Sequence, residues 1–182
     1  ITWKDSFAIT QEMMEDSIIL DLSRTGARSF IEQYHLTREK YGSQLLIGAV
    51  SGPTTTFRGL VMDCTSADGV PLFSTAHPSK TGNTGPQSNK FAGAFSAEIL
   101  GKIETRMQNF TDDNGEVLNI APDTIIIPND AELKKAVFEA IGADKDPATA
   151  NNGFNYQYGR WTVIVSPYLN GLIANGDKPF FL

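Results

Sequence analysis

Cys64 and His77 are the residues in this chain whose types could do nucleophilic chemistry, a thiol to attack and an imidazole to take its proton. Their distance along the chain says nothing for or against such a pair, because nucleophile and base are assembled in space. No second histidine stands near His77 to orient it, and no sharp G-x-S-x-G turn surrounds any serine. A cysteine-dependent hydrolase using Cys64 and His77 is therefore kept as the rival reading. The expected one is plainer: Cys64 is a small buried side chain on a strand, and His77, just before Pro78, is a turn residue bonded to local backbone.

The other candidates reduce in the same way. His35 has no His or Cys three or four residues away to complete a metal-binding helix face, so a surface or interface role is expected. Asp112-Asp-Asn-Gly-Glu has the look of a calcium loop. In the D-x-[DN]-x-[DN]-G register, however, Phe110 stands where the first aspartate should be, and no glutamate occupies the twelfth position. A turn is expected there. Asn109-Phe-Thr111 matches the glycosylation triplet but falls at the end of a predicted helix. Neither G-x-x-x-x-G-K-[ST] nor G-x-G-x-x-G occurs, so a nucleotide site has no support. The expectation is no enzyme, with no catalytic, cofactor-binding or metal-binding residue and no cofactor.

The elements that would position these residues are dominated by one long helix from about Ser17 to Gly52. Apolar or aromatic residues recur at Ala27, Phe30, Ile31, Tyr34, Tyr41, Leu45, Leu46 and Ala49, mostly three or four apart, as one helix face requires. No proline interrupts the stretch; Gly48, Gly52 and Pro53 are read as its close and as a domain boundary. Such a helix would run roughly 50 Å, against a radius of gyration near ~16 Å for a compact domain of this length. It must jut out, bend, or lie across something larger, which favours a building block over a self-contained enzyme. The charges Arg24, Arg28, Glu32, Arg38, Glu39 and Lys40 along it make either a solvated face or a register code for a partner.

Residues 1–9 alternate loosely around Trp3, Phe7 and Ile9 and read as a strand or extended arm. Thr10, followed by Gln11, Glu12, Glu15 and Asp16, reads as a helix opening. Beyond Pro53, strands are expected at Phe57 to Met62 and Val70 to Ser74, then a mobile low-complexity loop from His77 to Lys90. Helical period returns over Ser96 to Phe110, with Ser96 as cap and Ile99, Ile103, Met107 and Phe110 on the inner face. A buried strand, Thr124 to Ile127, ends at Pro128. A helix from Asp130 follows, its inner face Leu133, Ala136, Val137, Ala140 and Ile141 and its stop Gly142. After a polar loop from Ala143 to Gly153, strands are expected at Trp161 to Val165 and Lys178 to Leu182. Helices and strands share one layered domain, an α/β or α+β arrangement.

Composition narrows the functional classes. The net charge of -6 disfavours non-specific gripping of nucleic acid, which needs a basic stripe. The single cysteine excludes an internal disulfide framework. No apolar run approaches the ~20 residues that cross a bilayer, and the start Ile1-Thr-Trp-Lys has no secretory pattern. The chain lacks an initial methionine and closes on Phe180-Phe181-Leu182, so a piece of a longer protein is expected, with further strands beyond Leu182.

The order of these pieces carries a resemblance. Phe7-Ala-Ile-Thr-Gln-Glu-Met-Met-Glu-Asp leads into the long helix, which ends in Thr37-Arg-Glu-Lys-Tyr-Gly-Ser-Gln-Leu-Leu-Ile-Gly-Ala. Gly69-Val-Pro-Leu-Phe-Ser-Thr-Ala-His-Pro, a helix, an Asp-Asn-Gly turn and Ile120-Ala-Pro-Asp-Thr-Ile-Ile-Ile-Pro follow. This resembles the major capsid (head) proteins of tailed bacteriophages with the Hong Kong 97 fold, including those of Mu-like prophages. The likeness covers nearly the whole chain and implies an α+β fold. It implies that residues 1–10 are the returning end of an extended loop, 11–52 the spine helix of a peripheral domain, and 53–182 an axial domain. Further implications are a homo-oligomer of pentamers and hexamers, and contact with scaffolding or portal proteins. It implies neither sequence-specific nucleic-acid binding nor membrane attachment, and a life in the host cytoplasm and then the virion. A bacterial nanocompartment shell protein of the same fold is a further alternative.

Overall fold

Helix period without proline produces one continuous α-helix in the computed structural model, which describes residues 4, 6, 8, 10–15, 19–145, 153–175 and 178–182. The chain forms two units, residues 1–42 and 43–182. A short helix α1 spans Gln11–Glu15, and the long helix α2 spans Ile19–Ser51, 33 residues. The arm expected over residues 1–9 lies largely outside the described residues. Within the first unit, Ile31 is 55% and Tyr34 54% exposed, although both sit on the apolar stripe of α2.

The same stripe ends in the second unit at Ala49, which is 0% exposed. Gly48 does not close the helix as expected but lies inside it. A Cβ there would stand 2.5 Å from Thr55 Cβ and 2.7 Å from Cys64 Sγ, so the glycine is required by close packing. The helix closes three residues later, where Gly52 N–H bonds back to the Gly48 carbonyl at 2.8 Å and Pro53 cannot continue the ladder.

Strands β1 (Thr54–Phe57) and β2 (Leu60–Asp63) then pair antiparallel, with Phe57 opposite Leu60. The single strand expected from Phe57 to Met62 is thus a hairpin. Arg58 and Gly59 take φ of 50° and 80°, the double left-handed turn that two-residue hairpins favour. The strand expected at Val70 to Ser74 is only a bridge between Thr65 and Pro71, since proline has no N–H to extend a ladder.

The core is built on β3 (Thr124–Pro128), α4 (Ala131–Gly142) and β4 (Thr162–Ser166). β3 and β4 pair parallel, Thr124 opposite Thr162 through Pro128 opposite Ser166, and parallel neighbours need a crossover, which contains α4. Asp130 caps α4, its Oδ1 accepting the Leu133 N–H at 2.8 Å. Leu133, Val137, Ala140 and Ile141 are buried against Ile125 and Ile127. Helix α3 (Ala97–Gln108) is capped as expected, with Ser96 Oγ accepting the Ile99 N–H at 3.2 Å.

Its buried face is a correction. Leu100, Gly101 and Glu104 are buried, while Ile99, Ile103, Met107 and Phe110 are only half-buried. The expected strand Lys178 to Leu182 shrinks to one antiparallel bridge, Ile126 with Phe181, beside which Phe180 packs edge-on to Phe95 at 4.9 Å. A 3-10 turn, Pro167–Asn175, packs Leu169 and Leu172 inward. Among the described residues, helices and two small sheets make the fold α+β.

Candidate functional site

The imidazole of His77 is held by Asp68, which the sequence reading had not singled out: Nδ1 and the carboxylate Oδ2 are 2.5 Å apart. Asp68 sits in a tight turn where Ser66 N–H bonds the Val70 carbonyl at 2.8 Å and Gly69 takes φ 82°. The Ser66 hydroxyl, and after it His77, hold the Asp68 carboxyl down to about 2. His77 also pairs its backbone both ways with Gln87, at 2.7 and 3.0 Å, so it is a bridge residue whose ring binds a side chain, not the turn residue bonded to local backbone that was expected. The Asp68 carboxylate thereby fixes the orientation of the His77 ring, and the rival reading further needs a thiol within its reach.

Cys64 does not supply one. It is buried as expected but stands just after β2 and not on a strand, and its Sγ lies 3.9 Å from the Met62 carbonyl, in the tight contact that Gly48 makes possible. Burial pushes its thiol up, and the neighbouring charge of Asp63 adds to this. A reactive cysteine needs the opposite shift. His77 engages Asp68, and its Nε2 has no partner among the described residues. The pair posed by the rival reading is therefore not formed.

The loop of residues 77–90, expected to be mobile, is fastened along its length. Asp113 accepts from Ser79 Oγ at 3.1 Å and from Lys80 N–H at 2.9 Å. The Gln87 amide brackets Thr111, donating to its carbonyl at 2.8 Å and accepting its N–H at 3.0 Å. Asp112 turns its carboxylate onto its own backbone, accepting from Asn114 and Glu116 N–H at 2.8 and 2.9 Å. Those bonds hold its carboxyl below the usual range and make the turn that was expected. Among the described residues no cluster of three or more His, Cys, Asp or Glu could hold a metal. Asn109 caps α3, its amide donating to the Thr105 carbonyl at 2.9 Å.

A buried polar network is the feature that sequence reasoning missed. Glu104, buried on α3, accepts from Gln157 Nε2 at 2.9 Å and from the Arg160 guanidinium. The Gln157 carbonyl accepts from Trp161 Nε1 at 2.5 Å. Asn155 donates to the Ala140 and Ala143 carbonyls at 2.7 and 2.9 Å, satisfying the end of α4. The sequence holds only a faint signal, Glu104 one turn from Leu100, because the helical period puts the inner face on Ile99, Ile103, Met107 and Phe110.

This network bolts the 153–161 segment down while it displays Phe154, which is 85% exposed, beside exposed Tyr156 and Tyr158. Other large apolar side chains stand out at Leu60 and Val61 on the hairpin, and at Val117, Leu118 and Ile120 before β3. In the first unit, His35 is exposed and meets Tyr34 edge-on at 5.8 Å, and Arg38 lies 5.7 Å over the Tyr34 ring. No described helix is long and apolar enough to cross a membrane.

The family model described as phage capsid protein matches residues 1–182. No curated protein and no solved structure matches the chain.

Proposed function

We propose, because the chain belongs to the phage capsid protein family, that it is a Hong Kong 97-type major head subunit that tiles a closed shell around DNA. The family is structural, and its members build the virion shell; the finer assignment is our reading. On it, residues 1–10 are the returning end of an extended loop, 11–52 the spine helix, and 53–182 an axial domain around the centres of pentamers and hexamers. The observation that carries this reading is the apolar stripe of α2. Ala49 is covered by its own unit, whereas Ile31 and Tyr34 on the same stripe are more than half exposed. Sister copies are the cover that a shell supplies, through the large interfaces of obligate assemblies. A net charge of -6 suits a wall that holds DNA without condensing it.

Electron microscopy of the full-length product, expressed alone, tests the reading. Shells or capsomer rings are expected. Small monomers at high concentration would remove it.

A further inference from the structure

The half-buried face of α3 opens onto a groove in the second unit. Met107, Phe110, Phe73 and Phe181 are among the residues that line a cavity of about 330 Å³, to which Pro179, Phe180 and Leu182 also contribute. The lining includes the cations Lys90 and Arg106, and no side chain among the described residues that line it is a carboxylate. In a chain of net charge -6 that is a local inversion. The Lys90 ammonium donates to the Val50 carbonyl at 3.1 Å, and an ammonium has further donors to offer.

The complementary piece is a surface segment of the same unit. Residues 116–123, Glu-Val-Leu-Asn-Ile-Ala-Pro-Asp, form a strap with a carboxylate at each end and no base. Val117 is 58% and Leu118 53% exposed, with Ile120 exposed as well. Leu118 N–H to the Phe110 carbonyl at 2.7 Å fixes one end, and Thr162 N–H to the Asp123 carbonyl at 2.8 Å fixes the other. The strap is thus presented by a rigid frame, which lowers the ordering cost of docking it.

We propose that the strap of one copy seats Val117, Leu118 and Ile120 in the groove of a second copy, with Glu116 and Asp123 facing its Lys90 and Arg106. The inference rests on the head-subunit reading, which supplies the second copy, and names the surfaces that meet. A donor and an acceptor on one chain can join head to tail, the geometry from which rings close. Opposite charges at the rim set register and partner choice, and the apolar fill supplies the binding.

Two full-length variants, Leu118→Cys and Met107→Cys, are mixed, assembled and mildly oxidised. A mixed disulfide dimer, absent from either variant alone, is expected, since only strap-to-groove contact between copies brings those positions within bonding distance. Arg106→Glu is expected to lower the assembled fraction about tenfold, with Glu116→Arg on the other copy restoring it. Shells without the mixed disulfide overturn the inference and leave the head-subunit reading standing, even where Arg106→Glu blocks assembly, because the groove then has another occupant. A mixed disulfide without shells or capsomer rings supports the contact and removes the head-subunit reading. Absence of particles and disulfide alike removes both.

Discussion

Ile125 and Ile31 are the same side chain put to opposite uses. Ile125, on β3, has no exposed surface and is enclosed by α3 and α4, whereas Ile31, on α2, keeps 55% of its surface in water. One region satisfies its apolar groups within the fold; the other holds them out. Burial of a side chain that size is worth about 2 kcal/mol, so the first region contributes to the stability of a single copy and, on the head-subunit reading, the second contributes to association.

That division can be broken at either end. Ile125→Ala should remove about 3 kcal/mol from unfolding stability, the cost of an unfilled core cavity, measured by urea denaturation of unassembled protein. A loss below the range of a surface substitution would show that β3 is not the centre of the core. Glu104→Ala should remove about 2 kcal/mol, because Gln157 is left buried without its acceptor; the same denaturation series reads it. Full stability in that variant would mean water replaces the carboxylate.

The Asp68–His77 pair sharpens the comparison through pH. The Asp68 carboxyl falls from 3.8 to about 2 in the folded chain, so its contribution is complete above the ordinary carboxylate range and fades as pH drops from about 4 to about 2. Asp68→Asn should therefore differ from the parent at neutral pH and converge with it near pH 2 in an acid-unfolding titration. Parallel curves across that window would contradict the pairing. The smallest effect on folding is expected from Ile31→Asp, within about 0.5 kcal/mol for a surface site, together with loss of particles in sedimentation. Intact particles would take the stripe out of assembly.

Periodicity made much of the fold legible. The 3.6-residue pattern and the absence of proline located α2, and the Thr124 to Pro128 and Trp161 to Val165 runs located the parallel pair. Local chemistry placed the caps Ser96 and Asp130. What stayed hidden was set by contacts far along the chain. Helix α3 turns Glu104 inward because Gln157 and Arg160 receive it, and no pattern within the helix announces those partners. Arg58 in a left-handed turn concealed the hairpin, since Asn or Gly is the usual sign of one. The polar tract of residues 77–90 reads as slack until Asp113 and Gln87 are seen to tether it. The Cys64 reading as a small buried residue needed only composition; the Asp68 partner of His77 needed the turn that brings it across.

The bridge between Ile126 and Phe181 has a consequence for biosynthesis. A ribosome releases α2 long before it makes Phe181, which bridges to β3, and such long-range closure is slow. A nascent copy therefore presents the exposed stripe of α2 before that bridge can form, an interval in which premature clumping threatens. Cells making this protein in quantity should benefit from a chaperone that shields early helix until Phe181 has been laid down.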